Sequence, residues 1–321
     1  MNRRVLLSAA ALVAALSPIA PASASDVCGR PCLQGLVDRY LVALSAHDPS
    51  LLPLARNVRF TENGIELRLG DGLWGTASGA GHYKLYVVDP EDGQVGFFGT
   101  VMENGAPVLM ALRLKVTYGL IDEIETIVAR GSGAGNFPPA GRTMEAHGHP
   151  RPQFLRSVPP AERPPRAELV RIADSYFTGL GGNTGRNTAP FAPTCNRWEN
   201  GIQTTNNASF RGSSSFNVVA LGCDAQQKSG FFSFVTEIRN RRFPVVDRER
   251  GLVLGFCFFD HAGKLAEIHL TNGQTVPSPV RSPLTLEVAE LFQIDRGKLD
   301  QIEAVLGTAP YGMRSAVWDS P

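Results

Sequence analysis

Glu62-Asn63-Gly64-Ile65 occurs a second time in this chain, as Glu199-Asn200-Gly201-Ile202, and its surroundings repeat with it. Asp38-x-Tyr40-x-x-x-Leu44 lies upstream of the first copy and Asp174-x-Tyr176-x-x-x-Leu180 upstream of the second, 136 residues on, against 137 for the tetrapeptides. Downstream, VVDPEDGQV from Val87 returns as VVDRERGLV from Val245, and Gly105 returns as Gly263, both 158 on. GLIDEIETIV from Gly119 is answered by GKLDQIEAVL from Gly297, with Ile124-Glu125 matching Ile302-Glu303 at 178. The order is collinear and the offset only grows. A tandem duplication leaves that trace when its second copy carries two insertions, here between Ile202 and Val245 and between Gly263 and Gly297.

Within each copy the apolar period changes from helical to alternating. Leu33, Leu36, Val37, Tyr40, Leu41 and Leu44 predict a helix over 26–46. Pro49 ends it, and 51–55 begins a second short helix. Segments 58–62 and 65–69 then flank Asn63-Gly64, the pair that a type I′ hairpin turn requires because both central residues take positive φ. Strands follow over 83–89, 95–102, 108–116 and 120–129. Residues 131–165, rich in Gly and then Pro and without periodicity, read as an interdomain linker docked through Phe137, Met144 and Phe154. The second copy repeats the plan: a helix over 167–180, a short one over 188–192, and a first strand over 195–199. An inserted strand at 230–235 comes next, then strands at 252–260, 265–270, 291–294 and 299–306. The expected fold class is α+β: two tandem domains, 25–130 and 166–321, each with helices packed on a curved antiparallel sheet.

Residues 1–24 read as a secretory signal, with Arg3 and Arg4 before an apolar 5–20 and the small-x-small site Ala22-Ser23-Ala24. This predicts a periplasmic or secreted protein. No later apolar run approaches the roughly 20 residues of a spanning helix, so no membrane span is expected. A formal charge of +1 over 321 residues gives no electrostatic reason to expect nucleic acid as a partner. Cysteine usage suits an oxidising compartment. A Cys28–Cys32 bridge would tie down the mature N-terminus, and a Cys195–Cys223 bridge would staple inserted chain to the sheet. Cys257, in an apolar run, reads as a core residue.

Several side chains could carry chemistry. The turn accounts for both Asn-Gly pairs but not for the repeated Glu62 and Glu199, which end a strand and are either solvated or turned into a cleft. Tyr40 and Tyr176, on the apolar faces of the first helices, read as core aromatics. Arg59, His82 and Tyr83 are further candidates in the first copy; Arg197 and His269 are candidates in the second. In Glu267-Ile268-His269-Leu270 the alternation puts Glu267 and His269 on one face, which is either solvent or a site. His147-x-His149 lacks supporting ligands, so no metal is expected. P-loop, GxGxxG, GxSxG and HExxH motifs do not occur, and no cofactor is expected.

Two helices followed by a curved sheet in about 130 residues resembles the NTF2-like superfamily, which includes SnoaL-like cyclases, ketosteroid isomerase and scytalone dehydratase. The stretches LGDGLWGTASG (69–79), NRWENGIQTTNN (196–207) and IEAVLGTAPYGMRS (302–315) look like those of secreted tandem proteins of bacteria and fungi. The chain is also similar to NTF2-like γ-formaldehyde lyases of lignin-dimer catabolism. The resemblance implies a conical, mostly apolar cavity beneath the first helix, into which Tyr40 and Tyr176 would donate as phenols. It also implies a cofactor-independent acid–base lyase acting on a small aromatic compound, with release of formaldehyde from lignin-derived dimers. A non-catalytic binding protein for a hydrophobic small molecule is the alternative. NTF2-like domains often pair through their sheets, and here the two copies could pair with each other.

Overall fold

The computed structural model describes residues 28–131, 139–186, 189–210, 216–315 and 317; the expected leader and Phe137 lie outside them. The first half begins with α1 (Arg30–Ser45), which buries Leu33, Leu36, Val37, Tyr40, Leu41 and Leu44 as the helical period requires. Pro31 stands in its first turn, where a missing N–H costs nothing. The strands β1 (Leu54–Glu62), β2 (Ile65–Glu66), β3 (Ala77–Asp89), β4 (Gln94–Glu103), β5 (Ala106–Thr117) and β6 (Leu120–Ala129) follow, in the sheet order β2-β1-β6-β5-β4-β3. Asn63 and Gly64 close the β1–β2 hairpin at φ +48° and +70°.

The intervening residues carry α2 (Ala140–His147) and α3 (Pro152–Leu155), which bury Met144 and Phe154. The second half contains α4 (Arg166–Leu180), β7 (Phe191–Glu199), β8 (Ile202–Gln203), α5 (Cys223–Lys228), β9 (Glu237–Asp247), β10 (Leu252–His261), β11 (Glu267–His269), β12 (Thr275–Pro277), β13 (Leu284–Asp295) and β14 (Lys298–Ala309). Its main sheet has the corresponding order β8-β7-β14-β13-β10-β9, and Asn200 and Gly201 turn at +47° and +82°. The protein is thus a mixed α+β structure with two six-stranded curved sheets and few helices.

Each sheet buries both faces. In β5 the even residues Met110, Leu112 and Leu114 join the α1 core. The odd residues Leu109 and Ala111 join a third core shared with Val245, Leu254, Phe256 and Leu291 of the other half. The layers therefore run α1, sheet, sheet, α4. Because neither face of a central strand meets water, β10 is buried from end to end, and its residues Leu252 to Phe259 read as a continuous apolar run before Asp260 and His261. Gly96 lies at the closest approach: a Cβ there would sit 2.4 Å from a Leu254 methyl carbon.

Charged pairs cross this interface with pseudo-twofold symmetry. Arg30, opening α1, donates two hydrogen bonds to Asp247 (2.6 and 3.0 Å), and Arg166, opening α4, donates to Asp89 (2.5 Å). Asp89 also accepts from the Val246 amide (2.8 Å), and Asp247 from the Val88 amide (3.1 Å). The repeated Val-Val-Asp stretches are therefore the crossing points. Farther out, Tyr83 donates to Glu303 (2.9 Å) and Arg242 to Glu125 (2.5 Å).

Four local expectations give way. The sheets are mixed, not purely antiparallel: β1 runs parallel to β6 and β7 to β14. The short helix expected at 51–55 is a 3₁₀ turn, Pro49–Leu51, because the chain from Leu54 is drawn into pairing with β6. The helix expected at 188–192 is displaced likewise, since β7 starts at Phe191; residue 188 lies outside the described residues. The inserted strand expected at 230–235 is a 3₁₀ turn, Phe231–Phe234, whose rings pack in different directions rather than alternating across a sheet.

The two insertions of the second half pack against each other. Phe231 from the first packs with Ile268, Leu270 and Val276 from the β11–β12 hairpin of the second. The Thr271 amide donates to the Ser229 carbonyl (3.0 Å). Cys195–Cys223 ties α5 to β7, and Cys28–Cys32 also forms, while Cys257 is buried and unpaired. The two bridges are compatible with a periplasmic or extracellular setting. Among the described residues no helix is long and apolar enough to cross a membrane.

Candidate functional site

Duplication supplies an internal control: each position beneath α4 can be compared with its counterpart beneath α1. In the first half the space under the helix is filled. The 3₁₀ turn Gly72–Gly75 drives Trp74 into the core, where its indole N–H donates to the Tyr40 hydroxyl (3.1 Å) at a T-shaped ring contact of 5.2 Å. Glu62 is buried and occupied: it accepts from the Leu73 amide (2.7 Å) and from Arg130 (2.8 Å). Gly72, at φ +65°, permits this grip, since a Cβ there would lie 2.6 Å from the carboxylate.

In the second half the place of that turn is taken by the first insertion, and the core beneath it is charged. Arg197 is 4% exposed and stands where the first half has Phe60. Its Nε donates to Thr204 Oγ1 (3.0 Å) and an Nη to the Tyr176 hydroxyl (3.2 Å). The Glu199 carboxylate lies 3.5 Å from Nε and is 29% exposed, so it links the group to solvent. Glu290, on β13, is 2% exposed, hydrogen-bonds Tyr176, and stands where register places Leu112 in the first half. Phenylalanines wall the group: Phe177, Phe191 and Phe292 lie within 6.3 Å of the Tyr176 ring centre, and Phe232 lies 5.3 Å from the Arg197 guanidinium.

These surroundings favour the protonated form of all three buried groups, for different reasons. Burial, reinforced by Glu199 and opposed by Arg197 and Tyr176, pushes the Glu290 carboxyl up to about 8. Burial likewise holds the Tyr176 phenol well above its ordinary value. For Arg197, burial works against the cation, but Glu199, Tyr176 and Glu290 outweigh it and raise the pKa. At neutral pH the group therefore combines a neutral carboxylic acid, a neutral phenol and a fixed cation, with a second carboxyl at the rim. Such an arrangement can hold an oxygen-bearing ligand and give or take a proton.

The structure thus brings Tyr176, Arg197 and Glu199 together and adds Glu290. It separates the remaining candidates. Tyr40 and Glu62 belong to the filled first half. Arg59 pairs with Glu123 (2.7 Å) in a surface ion network. His82 is exposed and held by Glu145. His269 sits on the small hairpin, solvent-facing with Glu267, its Nδ1 2.9 Å from Thr275 Oγ1. Tyr83 is committed to the interface. Glu290 escapes the sequence reading because the strand was expected only from 291. Its signal was a lone carboxylate on the buried face of the Leu286, Val288, Phe292, Ile294 alternation. His261 is buried as the last residue of β10. Among the described residues no cluster of His, Cys, Asp and Glu could hold a metal ion.

A family described as "Domain of unknown function (DUF8021)" matches residues 162–306, from just before α4 into β14. The match therefore covers the half that carries the charged group. No curated protein matches the chain.

Proposed function

We propose that the second half is an NTF2-like cone in which Tyr176, Arg197, Glu199 and Glu290 perform cofactor-independent acid–base chemistry on a small aromatic compound, the first half being its structural partner. The observation that carries this reading is the exchange of Phe60 and Leu112 for Arg197 and Glu290. Burying charge in a core that the sibling builds from apolar side chains costs stability, and such expense is typical of functional sites. The phenylalanine walls suit a flat ring. Arg197 and Tyr176 hold a ligand oxygen on which negative charge develops. Glu199, the carboxyl that reaches solvent, takes the base's role, and neutral Glu290 the acid's. In a carbon–carbon lyase of this kind, Glu199 removes a hydroxymethyl O–H proton, formaldehyde leaves, and the electron pair left on the remaining framework is protonated from Glu290.

A binding protein without turnover is the second reading, favoured by the depth at which Tyr176, Arg197 and Glu290 lie. Purified protein incubated with lignin-derived dimeric phenols, followed by mass spectrometry for loss of a CH2O unit, separates the two. Turnover that drops by about two to four orders of magnitude in Glu199→Gln and in Glu290→Gln supports acid–base chemistry. Turnover unchanged in both variants refutes it, and binding without any product supports the second reading.

A further inference from the structure

A surface groove of about 260 Å³ runs beside the second half, lined among others by Gly182, Phe234, Val235, Ala262, Lys264 and Val280. Ser233 and Phe234 of the Phe231–Phe234 turn line it, and the preceding ring of the same turn, Phe232, lies 5.3 Å from the Arg197 guanidinium. Phe232 and Phe234 pack on both the α4 core and the small core between the two insertions, so they stand between groove and charged group. Both are only half-buried, whereas Phe231 beside them is 4% exposed.

The turn is fixed at its ends, and between them its backbone is held mainly by its own hydrogen bonds. On one side α5 is anchored by Cys195–Cys223, by Gln226 donating to the Thr204 carbonyl (2.5 Å), and by Gln227 donating to the Tyr176 carbonyl (3.0 Å). On the other, the Val235 carbonyl accepts from the Gly182 amide (2.9 Å) and the Thr236 amide donates to the Asp260 carbonyl (2.8 Å). Between these anchors Ser233 and Val235 donate only to carbonyls of the turn itself, Gly230 and Phe232. Gly230, at φ +73°, begins the turn and supplies a backbone that can reorient without a Cβ penalty.

We infer that the Phe231–Phe234 turn is a gate and that the groove is an outer subsite, which takes one oxygen-bearing ring of a small aromatic compound and passes it to Arg197. This rests on the acid–base reading for its destination, but access can be measured without turnover. The volume is below that of drug-sized sites and suits one substituted ring. Phe234, whose ring stacks on His261 at 5.7 Å, is the aromatic residue of the lining.

Phenylglyoxal, a single ring bearing two carbonyls that modifies arginine, is the probe, and peptide mapping by mass spectrometry gives the rate at Arg197, with Arg239 and Arg241 as internal references. Phe232→Ala is expected to raise the Arg197 rate at least about tenfold, because a gated minor state is populated at roughly 0.1–10 %. Phe232→Leu, which keeps an apolar side chain and guards against a folding defect, should raise it less. Adding Ala262→Trp, which fills the groove, should return the Phe232→Ala rate toward that of the unmodified protein. An Arg197 rate unchanged in both Phe232 variants overturns the gate. A rate raised by Phe232→Ala but indifferent to Ala262→Trp overturns the groove as the route. Labelling that behaves as expected without turnover leaves the gate standing while the catalytic reading falls.

Discussion

Substituting Glu290→Gln should change how stability depends on pH more than it changes the fold. The carboxyl titrates at about 8 in the folded protein against an ordinary 4.5. Tyr176 from α4, Arg197 and Glu199 from β7, and Cys257 from β10 are the groups that face it. Between these values the folded state keeps a proton that the unfolded chain has lost. Stability is therefore fully present below about pH 4.5 and is lost as pH rises through about 8. The slope is about 1.4 kcal/mol per pH unit, so roughly 3 kcal/mol disappears between about pH 4.5 and about pH 7. Glutamine does not titrate, and the variant should lack this part of the slope. Urea unfolding at half-unit pH steps, with wild type and variant side by side, measures the difference directly. Glu287, also raised to about 8 by burial, contributes equally to both curves and cancels. Parallel curves from about pH 4.5 to about pH 8 would refute the claim that Glu290 is buried as a neutral acid.

Other perturbations probe the frame around the site. Asp247→Ala, which removes the two hydrogen bonds from half-buried Arg30, leaving it Glu249, and orphans the Val88 amide, should cost about 1–3 kcal/mol in urea unfolding. Trp74→Gly should cost at least about 3 kcal/mol and open an apolar cavity under α1; addition of indole should raise the melting temperature of the variant and not of wild type. Replacing Cys195 and Cys223 together by serine removes a link across 28 residues, worth on the order of 3.5 kcal/mol on chain-entropy grounds. Hydrogen exchange should locate the loosening in the first insertion.

The frame was legible in the sequence to the extent that local chemistry decides it. The two Glu-Asn-Gly-Ile stretches fixed two hairpin turns, and the repeated Val-Val-Asp stretches marked residues that prove to cross between sheets. The growing offset located both insertions, although nothing local showed that Phe231 would meet Ile268. Parallel pairing of β1 with β6 escaped because it joins residues far apart in sequence, and strand period alone does not reveal direction. The aromatic run at 231–234 resembles a strand in composition, but its rings serve two cores at once. At the site, Tyr176 and Glu199 were recognisable from the repeated stretches, and Arg197 from its place two residues before Glu199. Arg59, His82 and His269 are equally reactive types that the fold turns outward, and only burial distinguishes the two sets. Glu290 was hidden because a charge breaks the apolar pattern by which a strand is recognised.

The central claim is that the charged group beneath α4 is kept for function at the expense of stability. The double substitution Arg197→Phe with Glu290→Leu rewrites that core in the manner of Phe60 and Leu112, and its unfolding free energy at neutral pH tests the claim most directly. The account predicts a protein more stable than wild type by about 1–4 kcal/mol that no longer binds or converts aromatic ligands. A double variant several kcal/mol less stable than wild type would show that the group is structural, and would contradict it.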